Sequence, residues 1–329
     1  MISIARRQCL TFAGVATAAA AWPIRPLSAA ELRQLTIQVG IAPGGVTDTV
    51  ARMLAEGLPT DLAEVALVEN RTGAGGQLVL NTLRSGAQDG SLLTLTPASQ
   101  VTVYPHTYPN LLYDPLKDFS PVSLVGVIEF GLAVGPLVPA EVQTVDDFLK
   151  WCAEHPELAT FGSPAAGSIP HFLGELLGRA GGVELVHVPY RGTQPAISDL
   201  IGGQIAAVSG TVGGFAPFVE QGRIRLLATS GAERSRFVSN VPTYTEQGFP
   251  DLQLVEWMGL FAPAGVAPAR LERISKAVHE VLQGERARTV MASAGVEPRG
   301  SSPQVLSEWL IEDYARWKPI VETVGFQAL

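Results

Sequence analysis

The chain has 329 residues, of which 47% are hydrophobic and 16% are charged, and its formal net charge is −8. This composition is typical of a globular protein with room for two domains. The negative charge argues against a nucleic-acid-binding surface, so we expect no nucleic-acid partner.

Residues 1–30 are predicted to be an export signal rather than part of the fold. Arg6 and Arg7 precede an alanine-rich apolar run, 10–22, and small residues allow cleavage near Ala30. The arginine pair resembles a twin-arginine signal, and an ordinary Sec signal is the alternative. Either route predicts a periplasmic protein. No later run reaches the roughly 20 apolar residues that cross a bilayer.

A strand, a glycine turn and a helix then follow one another. Alternating apolar residues predict a strand over 35–41, and helical spacing begins near Val50. Adjacent glycines between them let backbone N–H groups point outward, and the helix start adds unpaired donors with a partial positive charge. The turn is therefore predicted to bind an anion through main chain, with the residues Pro43, Gly44, Gly45, Val46, Thr47 and Asp48.

Asp48 leaves two interpretations open. It is a helix cap that answers the helix dipole, or it contacts the ligand and selects a hydrogen-bond donor there.

Strands and helices continue to alternate along the chain. This pattern predicts parallel strands with right-handed crossovers, whose carboxyl-end loops line a ligand crevice. Ser99 follows the strand over 92–95 and is a candidate hydroxyl contact. A near capping box at Thr144 predicts a helix, and the strand, turn and helix over 159–177 repeat the opening design. Further strands are predicted over 184–188, 205–209, 224–229 and 254–261, and helices over 193–201, 271–282, 285–294 and 303–324.

Two similar units predict an α/β fold of two lobes, each a mostly parallel sheet flanked by helices. We expect a discontinuous lobe 1, residues 31–130 plus 256–329, and a lobe 2, residues 131–255. A cleft between the lobes that closes about a hinge would hold the ligand.

The order of several short motifs resembles that of a known family, the substrate-binding receptors of tripartite tricarboxylate transporters (Bug or TctC type). The resemblance covers essentially the whole mature chain. The motifs are Pro43-Gly44-Gly45-Val46-Thr47-Asp48, Glu69-Asn70-Arg71, Gly73-Ala74-Gly75-Gly76, Tyr113-Asp114-Pro115, Val186-His187-Val188-Pro189-Tyr190-Arg191-Gly192, Gly202-Gly203-Gln204, Trp257 with Gly259-Leu260, and Ala262-Pro263-Ala264-Gly265.

The resemblance implies a type II periplasmic binding protein, or Venus flytrap. It implies that a small carboxylate is held by the first glycine turn and by a facing turn from lobe 2. The facing turn comprises Gly162, Ser163, Gly167, Ser168 and His171. It further implies integral membrane transporter subunits as partners, with a sensor protein as the alternative, and we expect a monomer with no cofactor, metal or catalytic residue. The residues it adds to the site are Gly162, Ser163, Ala166, Gly167, Ser168, His171, Tyr190 and Thr211.

Departures from the family pattern predict the ligand's character. Ala166, Ala206, Gly210 and Thr211 stand where members of the family commonly carry acid or amide groups. Their loss would make the wall of lobe 2 less polar. We therefore expect a ligand with an aromatic or otherwise apolar end, rather than a second carboxylate.

Two enzyme classes are weaker alternatives. A serine hydrolase could use Ser163 or Ser168 with His171, but no orienting acid is recognisable. A dinucleotide enzyme could use the 73–75 glycine turn, but Leu78 stands where the third glycine is required.

Overall fold

The computed structural model describes residues 32–190 and 192–327; the predicted export signal and Arg191 lie outside the described residues. The strands are β1 (Leu32–Val39), β2 (Ala63–Asn70), β3 (Leu92–Pro97), β4 (Phe119–Val134), β5 (Thr160–Ser163), β6 (Val186–Pro189), β7 (Ala207–Thr211), β8 (Arg225–Thr229), β9 (Val255–Pro263) and β10 (Glu297–Pro298). The helices are α1 (Val46–Gly57), α2 (Gln77–Arg84), α3 (Ser99–Thr102), α4 (Tyr104–Thr107), α5 (Val145–Glu154), α6 (Ile169–Ala180), α7 (Thr193–Ile201), α8 (Val212–Glu220), α9 (Pro268–Gln283), α10 (Glu285–Ser293) and α11 (Pro303–Val324).

The long strand β4 belongs to two sheets. Its first part pairs with β9 as far as Glu129, and its second part pairs with β7 and β8 from Phe130 onward. We call the Glu129–Phe130 step the crossing. The strand order on the two sides of β4 is β2-β1-β3-β9-β4 and β4-β7-β5-β6.

The predicted α/β fold is confirmed, and both sheets are mixed. Strands β1, β2 and β3 are parallel to one another, as are β5, β6 and β7, whereas β4 runs antiparallel to each of its partners. The exact division into lobes stays a prediction.

Strand register brings two sets of loops to the crossing. In the first sheet, Val39 of β1 pairs with Leu95, Pro97 of β3 pairs with Met258, and Val255 of β9 pairs with Glu129. In the second sheet, Gly162 of β5 pairs with Val208, and Thr211 of β7 pairs with Phe130. The carboxyl ends of β1, β3, β5 and β7 therefore all point toward the gap between the sheets.

Helix α11 packs on both sheets. Leu306 and Leu310 near its start belong to a core cluster with Trp257 of β9. Trp317 and Val321 near its end belong to a cluster with Phe172 of α6. The second half of α11 thus packs against residues of the predicted lobe 2.

Two glycines touch where α8 and α10 meet. A Cβ on Gly213 would lie 2.4 Å from the Cα atom of Gly295, and Gly295 has a φ of +68°. No side chain other than hydrogen fits between these backbones, so the start of α8 and the loop after α10 are in direct main-chain contact.

Candidate functional site

The first glycine turn is exposed at the carboxyl end of β1. Pro43 and Gly44 are exposed, Gly44 has a φ of +85°, and Val46 is 37% exposed. Gly45 is the N-cap of α1, without a capping side chain. A left-handed φ at Gly44 favours glycine there, so the sequence of the turn follows from its geometry.

Asp48 ties this turn together. It is 2% exposed, and its carboxylate accepts the Gly44 N–H at 2.8 Å. It also accepts hydrogen bonds from Arg52 at 3.0 Å and from the Asn70 amide at 2.8 Å. Burial alone would raise the pKa of Asp48, but the hydrogen bonds from Arg52, Gly44 and Asn70 together hold it below its ordinary value. These contacts support the capping interpretation of Asp48.

Two backbone donors of the first glycine turn already have acceptors within it. The Gly44 N–H donates to Asp48, and the Gly45 N–H donates to the Ala42 carbonyl at 3.3 Å. The first helical bond of α1 is from the Thr49 N–H to the Gly45 carbonyl. The N–H groups of Val46, Thr47 and Asp48 therefore precede the helical ladder and have no acceptor in the preceding turn of helix.

Ser99 does not present a free amide to the gap. Its N–H donates to Oε1 of Glu256 at 2.8 Å, which joins the start of α3 to the second residue of β9. Burial raises the pKa of Glu256 to about 7, and the Ser99 hydrogen bond opposes that rise. Nothing in the local sequence pattern distinguishes Glu256, and sequence reasoning missed it.

Ser163 lies under the facing turn rather than on it. The residue is fully buried, and its Oγ lies 2.8 Å from Nε2 of His187 and donates to the Ala165 carbonyl at 3.1 Å. Burial, with repulsion from His171, lowers the pKa of His187 to about 4. The partner of Ser163 is thus His187, not the predicted His171, and full burial of Ser163 argues against a hydrolase nucleophile.

His171 and Ser168 hold the facing turn from within. Ser168 is the N-cap of α6, and its Oγ accepts the His171 N–H at 3.4 Å. The Gly167 N–H donates to Nδ1 of His171 at 3.1 Å, and Nε2 of the same ring lies 3.6 Å from Glu175. His171 is only 6% exposed, so its ring orders the turn and does not line the gap.

The surface of the facing turn is made of small residues. Ala165 and Ala166 are exposed, and the ring of Phe326 packs within 2.6 Å of the position that a Cβ on Gly167 would occupy. Phe326 therefore closes one side of this turn, a contact that no sequence pattern revealed.

The other predicted residues of lobe 2 are divided between packing and capping. The Tyr190 ring packs on Gly162, and its hydroxyl donates to Asp199 at 2.8 Å. Thr211 is the N-cap of α8, with no capping side chain, which leaves the first amides of α8 at the crossing.

The prediction that Ala206 makes the ligand-facing wall less polar is wrong. Ala206 is fully buried and precedes β7, whose amino end lies away from the crossing. Its missing acid group therefore says nothing about the ligand. Ala166 remains exposed at the turn, and Gly210 lies one residue from Thr211 at the carboxyl end of β7.

A cavity lies beside the crossing, away from the predicted turns. It has a volume of about 800 Å³ and is lined by β4, β9, the loop 231–237, Arg299 and α11, and no predicted turn residue lines it. Its charged groups are largely paired with protein. Arg236 pairs with Glu297, Arg299 stacks on Trp309, and Trp257 donates to Asp313 at 2.6 Å.

Comparison with known proteins decides the family. Residues 50–326 match the family described as "Tripartite tricarboxylate transporter family receptor". The chain belongs to this receptor family. The protein BugT of Bordetella pertussis is 30% identical to this receptor over 94% of this chain and 95% of BugT.

Solved structures agree with this assignment. An R. palustris protein with adipate has a TM-score of 0.77 and 28% identity, and the match covers 90% of this receptor and 99% of that protein. MatC from Rhodopseudomonas palustris with bound malate has a TM-score of 0.72 and 29% identity, and the match covers 88% and 99%. The receptor has the fold of periplasmic binding proteins.

Membrane-spanning helices and metal-ligand groups can be assessed for the residues that the structure describes. Among them, no helix combines the length and the apolar character needed to cross a bilayer. The same residues contain no group of three or more His, Cys, Asp or Glu side chains placed to hold a metal ion.

Proposed function

We propose that this receptor captures a small carboxylate in the periplasm, between the first glycine turn and the facing turn, and delivers it to the membrane subunits of a tripartite tricarboxylate-type transporter. The observation that carries the proposal is the convergence of helix starts at the crossing. The N–H groups of Val46, Thr47 and Asp48 begin α1, and the amides that follow Thr211 begin α8. Helix N-termini bind carboxylates through such groups without a cationic side chain.

Two relatives support the ligand class. Similar receptors are known with adipate and with malate, both of which are small carboxylates. On the facing side, Ala166 and Gly210 offer no polar side chain to a second carboxylate. These positions favour a ligand whose other end is apolar, such as an aromatic monocarboxylate. Binding, rather than catalysis, is proposed because the buried Ser163 is committed to His187 and Ala165.

A thermal-shift panel tests the ligand class. Benzoate, adipate, malate and citrate are compared at equal concentration, and benzoate is expected to raise the melting temperature most. A shift with citrate alone would contradict the argument for an apolar end. No shift with any of the four, or with a wider carboxylate set, would contradict carboxylate capture itself.

A proline substitution tests the role of the backbone. Val46 is the first residue of α1 and Gly45 is extended, so Val46→Pro deletes one N–H in a conformation that proline accepts. Losing one hydrogen bond to a charged ligand costs about 1.5–3 kcal/mol, so Kd should rise roughly 10- to 100-fold. Val46→Ala keeps the N–H and is the matched control. Equal affinity of the two variants would mean that the carboxylate does not bind to the Val46 N–H.

A further inference from the structure

A chain of ionisable groups lies directly beneath the facing turn. The His171 and His187 rings are in contact, with centroids 4.0 Å apart and planes tilted by 31°. His187 contacts Ser163 on one side of the pair, and His171 contacts Glu175 on the other. Glu175 is held ionised, because the hydrogen bond from His171 keeps its pKa below the ordinary value despite burial.

The hydrogen bond to Gly167 fixes the protonation state of His171 in this conformation. Nδ1 accepts the Gly167 N–H at 3.1 Å, so this nitrogen carries no proton. The ring proton is then on Nε2, which faces Glu175. A second proton on the ring would make both nitrogens donors, and Nδ1 could no longer accept from Gly167.

Loss of that hydrogen bond would change the turn itself. Gly167 has a φ of +76°, and its neighbours Ala165 and Ala166 are exposed. Its N–H would be released at the surface of the turn, with an imidazolium behind it. An amide donor and a positive charge would then face the gap where neither is offered by the neutral ring.

Three ionisable groups lie around the His171 ring. Glu175 faces Nε2 of His171, and Arg179, one turn further along α6, also acts on Glu175. The neighbouring His187 would be repelled by an imidazolium at His171. Among the described residues, the other rings packed on His171 are those of Phe161, Phe172 and Phe326, which carry no charge.

We propose that carboxylate capture at the facing turn takes up one proton on His171, which releases the Gly167 N–H for the ligand. The proposal rests on the proposed function. It makes His171 a positioning residue that acts through Gly167, and it gives the direction of the pH effect. Because the bound state holds the extra proton, affinity rises as pH falls, by at most tenfold for each pH unit.

The first experiment needs no ligand. In ¹⁵N-labelled receptor, the Gly167 amide resonance and the His171 ring nitrogens are followed by NMR from pH 8 to pH 5. The amide is expected to move with the same midpoint as the ring. In His171→Gln, which keeps an acceptor that does not titrate, the amide should stay fixed, and His106→Gln is the control for loss of a distant imidazole. A Gly167 amide that ignores the titration of His171 would overturn the proposal.

The second experiment adds a carboxylate. Whichever of benzoate, adipate, malate and citrate gives the largest thermal shift is titrated by calorimetry in buffers of different ionisation enthalpy. Uptake of up to one proton is expected in the wild-type receptor and none in His171→Gln. Binding without proton uptake at any pH between 5 and 8 would overturn the coupling. If no carboxylate binds, the proposed function fails, while the ligand-free titration still decides whether His171 controls the turn.

Discussion

Gly44 and Asp48 are joined by a 2.8 Å hydrogen bond from the backbone N–H of the glycine to the carboxylate of the aspartate. The same carboxylate is held by Arg52 and Asn70, so one buried acid links the turn, α1 and β2. The first glycine turn is therefore held in place by hydrogen bonds within the protein.

Asp48→Ala is expected to destabilise the receptor by about 2 kcal/mol at pH 7, because it leaves buried donors without their acceptor. The native-state pKa of Asp48 is depressed, so its contribution is present above the unfolded-state pKa and is lost as pH falls below it. Urea unfolding at pH 7 and pH 3 measures the change. Asp146→Ala, at an exposed acid, is the control, and an equal effect of the two variants would contradict the role of Asp48.

His187 predicts a loss of stability in acid. Its pKa is lowered from 6.5 to about 4 in the folded receptor, so the unfolded chain binds the proton first. Stability should fall as pH drops from 6.5 to 4, by about 2–3 kcal/mol from this residue. In His187→Gln the slope of unfolding free energy against pH should flatten over that window. An unchanged slope would show that the His187 ring has the same pKa in the folded and unfolded states.

The raised pKa of Glu256 predicts the opposite dependence of the free energy of unfolding on pH. Its pKa is raised from 4.5 to about 7, so the folded receptor holds the proton that the unfolded chain has lost. Stability from this residue falls as pH rises from 4.5 to 7. Glu256→Gln keeps an acceptor for Ser99 and should stabilise the receptor at pH 8 by about 2 kcal/mol, with little effect at pH 4. Chemical denaturation at both pH values tests this, and a destabilised variant at pH 8 would contradict it.

The glycine contact between α8 and α10 predicts a steric effect. In Gly213→Ala the new methyl group would meet the backbone of Gly295, which cannot swing aside as a side chain could. We expect a loss of about 2 kcal/mol or a measurable separation of the two elements by small-angle scattering. Gly202→Ala, where the nearest atom is 3.3 Å from the new Cβ, is the control. Identical stability and scattering would contradict a tight contact.

The regular elements follow closely from the sequence. Alternation of apolar residues located β1, and helical spacing located α9 and α11. The capping box at Thr144 is present with both of its hydrogen bonds. Helix α8 was missed, because Gly213 and Gly214 in its first turn and Pro217 within it are typical of loops.

The candidate site was harder to predict than the fold. The sequence located the turns because glycine patterns are local. It did not identify the hydrogen-bonding and packing partners of the turns, because those partners lie elsewhere in the sequence. The acceptor of the Gly167 N–H and the ring that covers Gly167 come from residues 171 and 326. Glu256 reaches Ser99 across 157 positions of sequence. Such contacts depend on tertiary packing, which no periodicity records.

Strand β4 gives the receptor a further property. Its sixteen residues supply hydrogen-bonding partners to β9 and β10 on one side of the crossing and to β7 and β8 on the other. A cut at residue 130 would leave open strand edges on both fragments, so neither half should be obtainable as a separate folded protein. The molecule is expected to melt in a single calorimetric transition, even though it contains two sheets.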